Sequence, residues 1–229
     1  MKKYLTSPLF TPVFFSLVWM FWMCCIFIFQ YNEIPQLLDK EGILELITNL
    51  AYIPLLLAYV FSAKFFMQNR KLRIDFIVFA LLGASAFLRE MGIQHWLTTH
   101  DSTAFKSRFF LNPANPLSEK IVAGALLLFF FGLIVYLAVK YTRHLIVSFF
   151  KMNPTTWSIA TLCTIGVVGK FFDRFPSNYK HSVGVALPEQ LRMNFNIVEE
   201  TSETFLPLIA AFIFLQYWLL QQKNPQISE

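Results

Sequence analysis

Five stretches of this chain run for 18 residues or more without a single Asp, Glu, Lys or Arg: 4–32, 46–63, 121–139, 152–169 and 204–222. At 1.5 Å rise per residue the shortest of them makes a helix about 27 Å long, close to the ~30 Å thickness of a bilayer's hydrocarbon core. A sixth run, Phe76–Leu88, is shorter. It reaches across only if it carries Asp75 at one end and Arg89 and Glu90 at the other. The pattern predicts an all-α, polytopic membrane helical bundle with six transmembrane helices, at about 12–30, 46–65, 74–91, 120–139, 155–172 and 203–222. No repeat, low-complexity tract or linker divides the chain, so residues 1–229 read as a single integral membrane domain.

Composition closes off the main alternative. With 56% hydrophobic and 14% charged residues, a soluble domain of 229 residues has too little charge to cover its apolar surface. The first run follows Lys2 and Lys3 but is too long for a secretory signal core, and its exit, FIFQYNEIPQ, has no small-x-small cleavage site. It reads as a retained anchor. Cys24, Cys25 and Cys163 all fall inside expected spans, which argues against a disulfide framework. The net charge of +5 is spread over membrane flanks, without the basic density of a nucleic-acid site.

Basic residues in short loops set orientation. An inside N-terminus puts ten basic and two acidic residues on the inner side, and nine basic and twelve acidic on the outer side. Both termini are therefore expected in the cytoplasm, and a bacterial inner membrane is the simplest host. The long connections, 31–45, 89–120 and 170–203, then all face outward, where a helical membrane protein concentrates its specific work. Residues 33–45 read as partly amphipathic and interfacial. Asp101 is expected to cap a short helix over 102–110, and Ser118 to cap the fourth span. Leu187–Val198 is expected to be a separate interfacial helix, with Pro176 and Gly184 breaking the loop before it.

The outer helix ends carry the chemistry. Glu41 and Glu45 precede the second span, and Arg89 and Glu90 close the third. Lys170, Asp173 and Arg174 close the fifth, while Glu199, Glu200 and Glu203 open the sixth. Charges at membrane depth turn away from lipid, because each costs roughly 2.5–3.5 kcal/mol there. This suggests an outward-opening polar pocket with Glu90, Asp173, Glu199, Glu200 and Glu203 as catalytic candidates. Arg89, Lys106, Arg108, Lys170 and Arg174 would grip an anion, arginine by paired donors. His95, His100 and Asp101 would cover the pocket and, with carboxylates, hold a divalent metal. Such a site suits work on a lipid or lipid-linked phosphate group at the periplasmic leaflet, with membrane lipid as partner.

Plainer readings of the same residues stand beside this one. Arg89–Glu90 and Asp173–Arg174 also suit ion pairs that pin helix ends. Glu199, Glu200 and Glu203 also suit the positive end of a helix. His95 and His100 are five apart and share no helical face. No GxSxG, HExxH or Walker pattern is present. Two other functions fit the chain: a noncatalytic assembly or immunity protein with a membrane or periplasmic protein partner, and a small transporter or channel. Charges at helix ends, away from the midplane, weigh against transport.

Overall fold

A computed structural model describes residues 2–29, 43–93, 97–99 and 104–223. Among these residues every regular element is helical. After a single turn at Lys2–Leu5 come α1 (Phe10–Phe29), α2 (Ile43–Gln68), α3 (Arg70–Glu90), the short α4 (Ser107–Leu111), α5 (Leu117–Phe150), α6 (Pro154–Val183) and α7 (Glu189–Lys223). Five of these, α1, α2, α5, α6 and α7, are long and apolar enough to cross a membrane. The chain therefore has the make-up of a multi-pass membrane protein. The third expected span exists as the 21-residue helix α3, but it carries six charged residues, Arg70, Lys71, Arg73, Asp75, Arg89 and Glu90, and is not among the five.

Several expected breaks are absent. Residues 140–150, read as an inner loop, continue α5 to 34 residues. Leu187–Val198 is not a separate interfacial helix, because α7 runs unbroken from Glu189 to Lys223. Pro176 lies inside α6 and does not end it. The connection expected to run from 170 to 203 is thus two helical extensions joined by residues 184–188. The turn is made by Gly184, whose φ of 77° is a left-handed conformation glycine adopts at little cost, and whose N–H bonds to the Lys180 carbonyl. At the other end of α6, Asn153 caps the first turn by accepting from the Thr156 N–H, with Pro154 at the first helical position. Ser118 does not cap α5, which already includes Leu117.

The chain divides into two compact units, residues 1–62 with 147–229, and residues 63–146. In the first unit, α6 and α7 form a closely packed antiparallel hairpin. Gly166 faces Leu206, and Gly169 faces Ser202 so closely that an added Cβ would meet the Ser202 Cβ at 2.9 Å. Small residues at such a crossing let two backbones approach, which is how membrane helices gain packing energy without a hydrophobic drive. Phe15, Ile165, Phe205 and Ile209 form one core cluster of α1, α6 and α7. Met23, Ile26, Leu44 and Ile197 form another of α1, α2 and α7.

Buried hydroxyls and an amide fix the register. The Ser158 hydroxyl donates to Gln216 Oε1 (2.7 Å) and lies 2.6 Å from Thr11 Oγ1, while Gln216 Nε2 donates to the Leu5 carbonyl (2.9 Å). Farther along, Thr48 and Thr204 pair at 2.6 Å, and Tyr59 stacks edge-on against Phe214. These contacts run α2 parallel to α7, with α1 and α6 antiparallel to both. The Tyr59 end of α2 and the start of α6 therefore lie at the same end of this unit.

In the second unit, α3 and α5 are joined through a carboxylate. Asp75, 4% exposed, accepts at Oδ1 from the Tyr136 hydroxyl (2.9 Å) and the Lys140 ammonium (2.6 Å), and at Oδ2 from the Tyr141 hydroxyl. The Lys140 ammonium also lies 5.3 Å and 5.5 Å from the two tyrosine ring centres, within cation–π range. Nearer the other end of α5, Glu119 Oε1 accepts from both the N–H and the hydroxyl of Thr99. Among the described residues α5 carries the most apolar stretch of membrane length, yet only 6% of that stretch is buried, so its remaining surface is available to lipid.

Candidate functional site

The hairpin of α6 and α7 brings acids together in the first unit. Their antiparallel pairing sets Gly169 against Ser202 and Phe172 against Phe195, with ring centres 5.2 Å apart. Asp173 follows Phe172, and Glu199 precedes Ser202 by three residues. The Glu199 carboxylate consequently lies within electrostatic range of Asp173, Glu203, Glu200 and Lys170. All three glutamates are half-buried.

Asp173 is held between two cations. The Lys170 ammonium, one turn earlier, donates to Asp173 Oδ2, and Arg174 Nε lies 3.7 Å from the same oxygen. The side chains of Lys170 and Arg174 are 53% and 67% exposed, which leaves their remaining N–H donors open to a ligand or to water. At this level the two helices thus carry four carboxylates and two basic groups.

The depth of the cluster differs from the sequence-based expectation. Glu199, Glu200 and Glu203 do not open a helix. They lie ten or more residues inside α7, and Asp173 lies ten residues before the end of α6. Attraction to a helix N-terminus fades within the first turn, so it does not account for the three glutamates. Beyond the cluster both helices continue for about 15 Å at 1.5 Å per residue. An aromatic contact set, Phe172, Phe175 and Phe195 with Tyr179 on Phe175, holds this extension together.

The remaining candidates belong to the second unit or fall outside the described residues. Glu90 belongs to the second unit, where its carboxylate accepts from the neighbouring Arg89 at 2.8 Å. Lys106 is exposed and Arg108 lies on α4, also in the second unit. His95, His100, Asp101 and Glu41 fall outside the described residues. Among those described, no group of three His, Cys, Asp or Glu side chains is arranged to hold a metal ion.

Sequence reasoning missed two features. One is Asp75 with its three donors, although an aspartate bordering an apolar run was a visible signal. The other is the buried polar interior of the first unit, Thr11, Thr48, Ser158, Thr204 and Gln216, all lying in charge-free runs. Thr201 belongs to the same interior. It is fully buried, and its hydroxyl has no hydrogen-bond partner among the described residues.

No protein-family model, curated protein or solved structure matches this chain.

Proposed function

We propose that this is an inner-membrane protein of six spans with both termini in the cytoplasm, whose α6–α7 cluster acts on a phosphate-bearing lipid headgroup at the outer leaflet. The span count is supported by direction. The Tyr59 end of α2 and the start of α6 share one end of the first unit, so an even number of crossings separates them. The strongly apolar α5 supplies one crossing, and α3 is the helix available to supply the other. The excess of basic residues on 64–73, 140–151 and the N-terminus favours that end as cytoplasmic.

The observation that carries the functional reading is the gathering of Asp173, Glu199, Glu200 and Glu203 with Lys170 on two closely packed helices, well away from a helix end. The charge-free run 152–169 is itself about one bilayer thick, so Lys170 and Asp173 fall at headgroup level. There Lys170 and Arg174 donate to phosphate oxygens, and Glu199, with acids on two sides, exchanges a proton with the reacting group. The test uses purified protein in liposomes of defined phospholipid, scored for release of headgroup or inorganic phosphate. Wild type is expected to turn over lipid, and E199Q and D173N to insert normally without activity. Equal turnover in all three would discard the proposal.

A second reading draws on the hairpin extension. Its aromatic interior and its exposed Val183, Val185 and Leu191 suit recognition of a periplasmic protein partner without catalysis. Stoichiometric copurification of one partner, lost when residues 177–195 are replaced by a short turn, would favour it.

A further inference from the structure

We infer that α3 spans the membrane only as a hairpin with α5, held there by the clamp of Tyr136, Lys140 and Tyr141 on Asp75. This rests on the six-span reading and goes beyond it, because it says why a helix of this composition crosses at all. Five helices here are long and apolar enough to cross a membrane, and α3 is not one of them. An ionised carboxylate at the edge of a span opposes insertion when it faces lipid, and so does a lone ammonium.

Each group removes the other's obstacle. Lys140 neutralises Asp75 at 2.6 Å, and both carboxylate oxygens are occupied, Oδ1 by Tyr136 and Lys140 and Oδ2 by Tyr141. The donors belong to one short segment of α5, with Tyr136 and Lys140 four residues apart on a shared face. Only 6% of the Asp75 side chain remains exposed. A solvated loop carboxylate would not need three donors. Here the carboxylate is shielded while the Lys140 side chain stays 39% exposed, as when a lysine reaches from a helix surface to a covered acid. The clamp is therefore positional: α5 inserts, and α3 follows as its partner.

The experiment places a single cysteine at exposed Ala114, in the full chain with Cys24, Cys25 and Cys163 replaced by serine, and labels intact cells with a membrane-impermeant maleimide. External labelling of this parent is expected. In D75K and in K140D most of that labelling is expected to be lost, appearing only after permeabilisation. The charge swap D75K/K140D is expected to restore it.

Full external labelling in both single variants would overturn the clamp while leaving six spans intact. No external labelling in the parent would overturn the six-span reading, and the clamp with it. Loss in the single variants without recovery in the swap would overturn charge pairing as the cause.

Discussion

Asp75 and Asp173 are both helix-borne aspartates bonded to a lysine, and the chain treats them in opposite ways. Around Asp75 three donors meet one carboxylate, which is shielded from solvent. Around Asp173 two exposed cations share one carboxylate oxygen, and three further acids crowd behind it on the facing helix. The first arrangement balances its charge and occupies both carboxylate oxygens. The second gathers four carboxylates and two basic groups on two facing helices, with Glu199 in the field of three other acids and of Lys170. The contrast is between a carboxylate that joins two helices and a cluster of carboxylates that the proposed function puts to use.

The largest expected effect breaks the second arrangement. Glu199→Gln, Asp173→Asn and Glu203→Gln should each lower turnover about 100-fold or more, the scale on which acid–base groups contribute. Thermal unfolding in detergent should show Glu199→Gln as stable as wild type or more so, because it relieves repulsion from Asp173, Glu203 and Glu200. Next comes Gly169→Val, which forces a branched side chain where even a Cβ meets Ser202 at 2.9 Å. A loss of about 1–3 kcal/mol in stability is expected, with activity falling alongside because the two halves of the cluster are pushed apart.

Tyr141→Phe sharpens the comparison from the other side. Removing one donor to a charged, shielded acceptor should cost about 1.5–3 kcal/mol in chemical denaturation without lowering turnover per folded molecule. A pair of threonines gives a smaller and signed contrast. Thr204→Val removes the bond to Thr48 and should cost about 1 kcal/mol, whereas Thr201→Val removes an unpartnered hydroxyl and should be neutral or mildly stabilising. Arg174→Ala should barely register in stability, at or below about 1 kcal/mol, since an exposed bridge at 3.7 Å is worth little. Any larger effect of Arg174 on turnover would then belong to ligand binding.

The helices were largely legible, because charge-free runs of membrane length leave the backbone no other way to satisfy its polar groups. What ran past the apolar runs was not. The extension of α6 through Pro176 to Val183 and the unbroken start of α7 at Glu189 depend on Phe172, Phe175 and Phe195 meeting between helices, and one strand of sequence does not display such pairings. For the same reason Asp173, Lys170 and the three glutamates could be named as candidates from their position beside apolar helix, but their mutual approach comes from the Gly169–Ser202 crossing, a tertiary fact. Asp75 was passed over because its donors lie more than sixty residues away on α5.

The most direct test of the central claim is native mass spectrometry of the detergent-purified protein, wild type beside E199Q and D173N. The account predicts one phosphate-bearing lipid retained per wild-type chain and lost or sharply reduced in both variants, with folding unchanged. A lipid retained equally by all three, or by none, would contradict it and leave the hairpin's acids without a ligand.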